Sequence, residues 1–148
     1  MIKPLPRTVL IDAGPLIALF DRSDHYHQPM LDFLTTQRLR FVSTLAVVTE
    51  VAHMLDFSVN AQLDFFRWVA INGVQLFDIQ QTHIARVIEL TERYADLPMD
   101  FADATLVIAA ESTGIRDIIS IDSDFDVYRL PGRVAIHNIF SGSAPAQR

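Results

Sequence analysis

Cysteine is absent from the 148 residues. Disulfides, thiolate metal sites and cysteine nucleophiles are therefore excluded together, and the composition suits a reducing cytoplasm. No run of eighteen apolar residues is free of charge, so no membrane span is expected. Met1–Arg7 lacks the apolar stretch and small-residue cleavage site of a secretory leader, and none is expected there. Lysine is nearly missing: of 12 cationic residues only Lys3 is not Arg. Against 18 acidic residues this leaves a formal charge of −6, which does not describe an obvious polyanion binder. Two features temper that reading. Arg is the cation whose planar fork best grips phosphate, and a divalent metal held by several carboxylates would offset local negative charge.

What is present is apolar. Half the residues are hydrophobic and only 20% are charged, which excludes disorder along the whole chain. The length fits a single domain over residues 1–148, with a core over about 8–139 and a tail, Ser141 to Arg148, expected to fray. Thr8–Ile11 is short, β-branched and apolar on both faces, which predicts a strand buried within a parallel sheet. It ends at Asp12, and Gly14-Pro15 opens a helix. Ser23 or Asp24 is placed to cap a second helix running to about Arg38. Phe41–Ser43 reads as a strand, Thr44 as the cap of a helix through Phe57, and Asn60 as the cap of a helix closed by Gly73. Val74–Phe77 is a third strand and Thr82 to about Tyr94 a helix. Phe101–Ser112 is an apolar helix stopped by Gly114, Ile118–Ile121 a fourth buried strand ending at Asp122, and Arg133–Ile139 a last edge strand. Strands and helices alternate throughout, which predicts a three-layer α/β/α sandwich around a mostly parallel sheet.

In such sheets ligands bind beyond the carboxyl ends of the strands, where strand order reverses. Two predicted strands end on an aspartate, Asp12 and Asp122. If the strands are neighbours, both carboxylates face one crevice. A turn role explains either Asp alone equally well. Glu50 lies in a helix, Leu45–Leu55, that is apolar nearly all round and expected to be buried. An ionised Glu there is costly unless paired, with His53 one turn on, or bound to metal; the alternative is a Glu at the helix edge facing solvent. Asp100 is placed to cap the Phe101 helix by accepting the N–H of Asp103, and Asp103 to favour its positive end. At i,i+3 the two share a face. Asp124 is close enough to Asp122 to share its mouth. His25 and His27 have no third strong ligand at a recognisable spacing, so a zinc site is not expected. Oxygen-only clusters select Mg²⁺ or Mn²⁺, and crowded carboxylates without a metal repel and raise a pKa. Such a site suits in-line phosphodiester hydrolysis.

The string Val9-Leu10-Ile11-Asp12-Ala13-Gly14-Pro15-Leu16-Ile17-Ala18-Leu19 resembles the opening of a PIN domain. Thr49-Glu50-Val51, Met99-Asp100-Phe101-Ala102-Asp103-Ala104 and Ser120-Ile121-Asp122-Ser123-Asp124-Phe125 resemble its later acidic motifs, in the family order. The likeness spans about Thr8 to Ile139 and is greatest to the VapC-type toxins, small ribonucleases held inactive by an antitoxin. It implies a Mg²⁺- or Mn²⁺-dependent endoribonuclease. Asp12, Asp103 and Asp122 would hold the metal, with Glu50 as a further ligand or water-orienting base; Asp100 and Asp124 match positions acidic in some members. Arg22 is a candidate phosphate contact. RNA substrate, a cognate antitoxin and a homodimer are the implied partners. Ala13 departs from the family, where Ser or Thr is frequent, and so weakens support for Asp12.

Two alternatives stand beside this reading. A catalytically silent binding module of the same fold is disfavoured because all four acidic positions are intact. A phosphatase with an aspartate nucleophile needs a carboxylate two residues after Asp12, where Gly14 stands, and a Lys after a later strand, which this chain lacks.

Overall fold

The computed structural model describes residues 5–97 and 99–140; the tail expected to fray lies outside them. In chain order the strands are β1 (Arg7–Ile11), β2 (Leu39–Thr44), β3 (Val74–Phe77), β4 (Asp117–Ile119), β5 (Arg129–Leu130), β6 (Val134–Ala135) and β7 (His137–Asn138). Five form one sheet in the order β3-β2-β1-β4-β7, and every neighbouring pair is parallel. The helices are α1 (Ala13–Phe20), α2 (His27–Thr35), α3 (Leu45–Met54), α4 (Val59–Ala70), α5 (Ile84–Arg93) and α6 (Phe101–Thr113). The architecture is the three-layer α/β/α sandwich that the alternation predicts. The chain builds outward from β1 through β2 to β3, then returns to lay β4 on the other side of β1. That reversal opens the crevice between β1 and β4.

Val9, Leu10 and Ile11 are fully buried, as expected of a strand covered on both faces. α6 is buried from Ala102 through Ala110 and packs on β2 and α3. Gly114 ends it in the left-handed conformation, φ 82°, where glycine has no Cβ to clash.

Several boundaries differ from expectation. α2 starts at His27 without a side-chain cap; Asp24 instead accepts the Tyr26 N–H at 2.8 Å, a turn placed just before the helix. Ser58, not Asn60, caps α4 by accepting the Ala61 N–H. At its far end Asn72 takes the left-handed position, with Asn72 N bonded to Val69 O and Gly73 N to Trp68 O. Gly73 serves packing instead: a Cβ there would fall 2.1 Å from the Trp68 ring. α5 begins at Ile84 after a 3-10 turn over Gln81–His83. β4 stops at Ile119, because Ser120 bonds to the Asn138 side chain rather than to a ladder partner. The single last strand is split in two: β6 pairs antiparallel with β5, and β7 pairs parallel with β4.

Candidate active site

Asp12 leaves β1 beside β4, its N–H bonded to Ile119 O at 3.0 Å. It also caps α1, with Oδ1 accepting the Ala13 N–H at 2.8 Å. Its other oxygen, Oδ2, accepts the Ser120 hydroxyl at 3.1 Å. The hydroxyl that Ala13 cannot supply thus comes from the end of the neighbouring strand. Ser120 is itself held on both sides by Asn138, which accepts its N–H at 3.2 Å and donates to its carbonyl at 2.9 Å. The turn role and the crevice role of Asp12 are therefore the same position, since the cap points its carboxylate at the β1–β4 gap.

Asp103 lies in the first turn of α6. Asp100 caps that helix as its spacing predicts, accepting the Asp103 N–H at 2.8 Å. Asp103 is buried, and its Oδ2 accepts the hydroxyl of fully buried Tyr128 at 2.8 Å. Tyr128 is wedged edge-on against Tyr94 and Phe125. α6 is tied to β2 nearby, where the Thr44 and Thr105 hydroxyls meet at 2.7 Å. Thr44 also caps α3 as expected.

Glu50 corrects one expectation. α3 is one-sided, with Val47, Val48 and Val51 buried and Leu45, Thr49, His53 and Met54 exposed. Glu50 is half-buried at the edge of that face, with His53 and Asp100 around the same open hollow. No ion pair joins Glu50 to His53 among the described residues. Asp122 is exposed and Asp124 half-buried in the turn after β4, where Asp122 Oδ1 accepts the Asp124 N–H at 3.0 Å. Arg22 is exposed in the turn after α1, and no described hydrogen bond or ion pair ties it to the carboxylates.

The electrostatics tie these acids into one group. Burial pushes the Asp12 carboxyl up from 3.8 to about 7; the charges of Asp122 and Glu50 push the same way, and the Ala13 and Ser120 bonds oppose them. Asp103 is raised by burial and then by Asp12, with Asp100 and Asp122 adding to the effect and Tyr128 resisting it. Glu50 is raised by burial, then by Asp100 and Asp122, and Asp124 by burial, then by Asp122 and Asp100. Burial and the Asp103 carboxylate in turn hold the Tyr128 phenol above its ordinary value. The charges acting on these carboxylates are other carboxylates. As oriented, no three acidic or histidine side chains among the described residues are gathered around one point so as to hold an ion.

Sequence reasoning missed Ser120, Asn138 and Tyr128. Ser120 stands two residues before Asp122 and was readable as a neighbour of an acid. Tyr128 carries no such signal, because its partner lies 25 residues away.

The chain matches the family model described as PIN domain over residues 9–130. It is similar to Ribonuclease VapC26 of Mycobacterium tuberculosis (strain ATCC 25618 / H37Rv), being 24% identical over 116 residues that span 77% of this chain and 86% of the relative. A crystal structure of Mycobacterium tuberculosis VapC20, described as a Sarcin-Ricin loop cleaving toxin, matches with a TM-score of 0.68 at 17% identity. That match covers 78% of this chain and 91% of the other, and at that identity the likeness is one of fold. The family model covers most of the length, and the sheet order, the helical layers and the acids at the β1–β4 crevice accompany it: the chain belongs to the PIN domain family.

Proposed function

We propose that this protein is a Mg²⁺- or Mn²⁺-dependent endoribonuclease, the toxin of a toxin–antitoxin pair, acting in the cytoplasm as a homodimer. The observation that carries the reading is the pair of buried, hydroxyl-anchored carboxylates at the strand-order reversal, Asp12 and Asp103, with the Asp12 charge opposing ionisation of Asp103. The ribonuclease and toxin names of the similar proteins support the choice of RNA as substrate and of an antitoxin as partner.

The donor set fits a hard cation by its chemistry. It offers only oxygens, it carries surplus negative charge, and Asp12, Asp103, Glu50 and Asp124 are raised by burial and by neighbouring carboxylates, a penalty that a cation relieves. Asp12, Asp103 and Asp122 would hold the ion, with Glu50, Asp100 and Asp124 at the rim. When bound, such an ion lowers the pKa of an attacking water and offsets phosphate charge. The chain's own residues do the rest. The Ala13 N–H and the Ser120 hydroxyl orient the Asp12 carboxylate. The Tyr128 hydroxyl fixes Asp103 through Oδ2 and leaves Oδ1 for other contacts. Glu50, half-buried and with its pKa raised by burial and by the charges of Asp100 and Asp122, orients the attacking water and accepts its proton.

The test is cleavage of single-stranded RNA with Mg²⁺ or Mn²⁺, repeated in chelator and with Asp12→Asn and Asp103→Asn. Cleavage is expected in the parent, with losses on the order of a thousandfold in chelator and in each variant. Cleavage unchanged in chelator, or in both variants, would refute the mechanism.

A further inference from the structure

We propose that a second, basic cavity beside the acidic crevice seats the sugar–phosphate backbone of the RNA strand beyond the scissile bond; this rests on the nuclease reading above. The cavity has a volume of about 530 Å³ and is walled by Arg93, Arg129 and Arg133 with Tyr94 and the Pro131-Gly132 turn. That is the size range of pockets that take small organic ligands, roughly 300–1,000 Å³, so a nucleotide unit fits. No acidic side chain lines it.

In a chain of net charge −6, three guanidinium groups around one hollow need a reason. Four other Arg residues are engaged elsewhere, and Arg22, Arg38 and Arg40, which have no ion pair among the described residues, do not line this cavity. Arg86 is paired with Glu111 and Glu89, Arg7 with Asp117, Arg67 with Asp64, and Arg116 is bonded to the carbonyls of Ala110 and Ile115. Arg93 and Arg133 have no ion pair among the described residues and are exposed. Arg129 is half-buried and braced on the carbonyls of Asp126 and Tyr128. Arg93, in the last turn of α5, also complements that helix's carboxyl end. This accounts for one cation and not for the convergence of three. Arg129 and Arg133 come from the β5–β6 hairpin. Gly132 and Arg133 there both adopt positive φ, 77° and 62°. A left-handed backbone at a non-glycine residue is disfavoured, and such strain recurs at functional sites.

The cavity is linked to Asp103 through two residues in edge-on contact, Tyr94 in its wall and Tyr128 behind it. Tyr128 holds Asp103 with its hydroxyl, its ring meets Tyr94 at 5.0 Å between centroids, and the next residue is Arg129, whose N–H is accepted by the Tyr94 hydroxyl at 2.9 Å. The Tyr94–Tyr128 pair is thus the wall between the two. A strand whose reacting phosphate lies in the acidic crevice meets cations one wall away. Arg forks bind phosphate oxygens in pairs. This answers the charge objection to RNA binding: the overall charge is negative, but the cations stand beside the crevice.

The test is the salt dependence of RNA affinity. A single-stranded RNA oligonucleotide is bound to the uncleaving Asp12→Asn protein at constant Mg²⁺, with and without Arg93→Gln and Arg133→Gln together. Arg129 is left intact because it braces the loop. Losing two phosphate contacts should reduce the slope of log affinity against log salt by about 1.4. Carried from 1 M to 0.1 M salt, that slope difference amounts to about 25-fold weaker binding. Arg67→Gln, on α4, should leave the slope unchanged. An unchanged slope in the double variant, or an equal loss with Arg67→Gln, would overturn the basic subsite. Cleavage of RNA by the parent is scored separately, so a parent that cuts RNA while the double variant binds normally rejects the subsite and keeps the nuclease.

Discussion

Raising the pH of the metal-free protein from 5 to 8 should destabilise it, with the buried carboxyls of Asp12 and Asp103 as the main causes. In the folded chain Asp12 holds its proton up to about pH 7, against an ordinary value of 3.8. The difference corresponds to about 4 kcal/mol. The sign follows from proton counting. Between those two values the folded state binds the proton and the unfolded state does not, so the contribution of Asp12 to stability is fully present below about pH 4 and is lost as pH rises through about 7. About 3 kcal/mol of the fall lies between pH 5 and 8. The upward shifts of Asp103, Glu50 and Asp124 act in the same direction. Urea unfolding in chelator, followed by the fluorescence of the single tryptophan, Trp68, reads the effect. Asp12→Asn removes the ionisable group, so the variant should show a shallower pH slope and exceed the parent in stability at pH 8. Mg²⁺ at 100 times its dissociation constant should restore about 2.7 kcal/mol to the parent. Parent stability that is flat or rises from pH 5 to 8 in chelator would refute the reasoning, as would an Asp12→Asn protein weaker than the parent at pH 8.

Tyr128→Phe keeps the ring against Tyr94 and Phe125 and removes the hydroxyl from Asp103. Mn²⁺ affinity, measured by electron paramagnetic resonance, should fall about tenfold to a hundredfold, and unchanged affinity would show that the hydroxyl does not position the carboxylate. Thr44→Val removes both the α3 cap and the hydroxyl facing Thr105. It should lower the urea midpoint by the equivalent of about 1–3 kcal/mol while leaving Mn²⁺ affinity alone.

The elements legible in the sequence are those whose signals are local. β1 shows its burial in three consecutive apolar residues, Val9, Leu10 and Ile11, and Gly114 marks the end of α6 because the left-handed backbone there favours glycine. Asp12 and Asp103 were readable because a strand end and a helix start fix their directions. Asp100 was readable as a cap because capping spans three residues. Contacts between distant segments were not readable. Ser120 meets Asp12 across 108 residues, and nothing near Tyr128 marks its partner. α3 looked buried all round because Leu45 and Met54 are apolar, yet both face outward. Composition reports what a surface is made of and not which surface is covered. The basic cavity escaped for the same reason, since Arg93 and Arg133 converge only after the hairpin turns back toward α5.

Manganese soaked into crystals, with anomalous diffraction collected near the Mn absorption edge, would test the shared-ion site most directly. A single strong peak is expected in contact with Asp12 and Asp103 and within reach of Asp122. Peaks confined to other carboxylates, with none at Asp12 or Asp103 at saturating Mn²⁺, would contradict it.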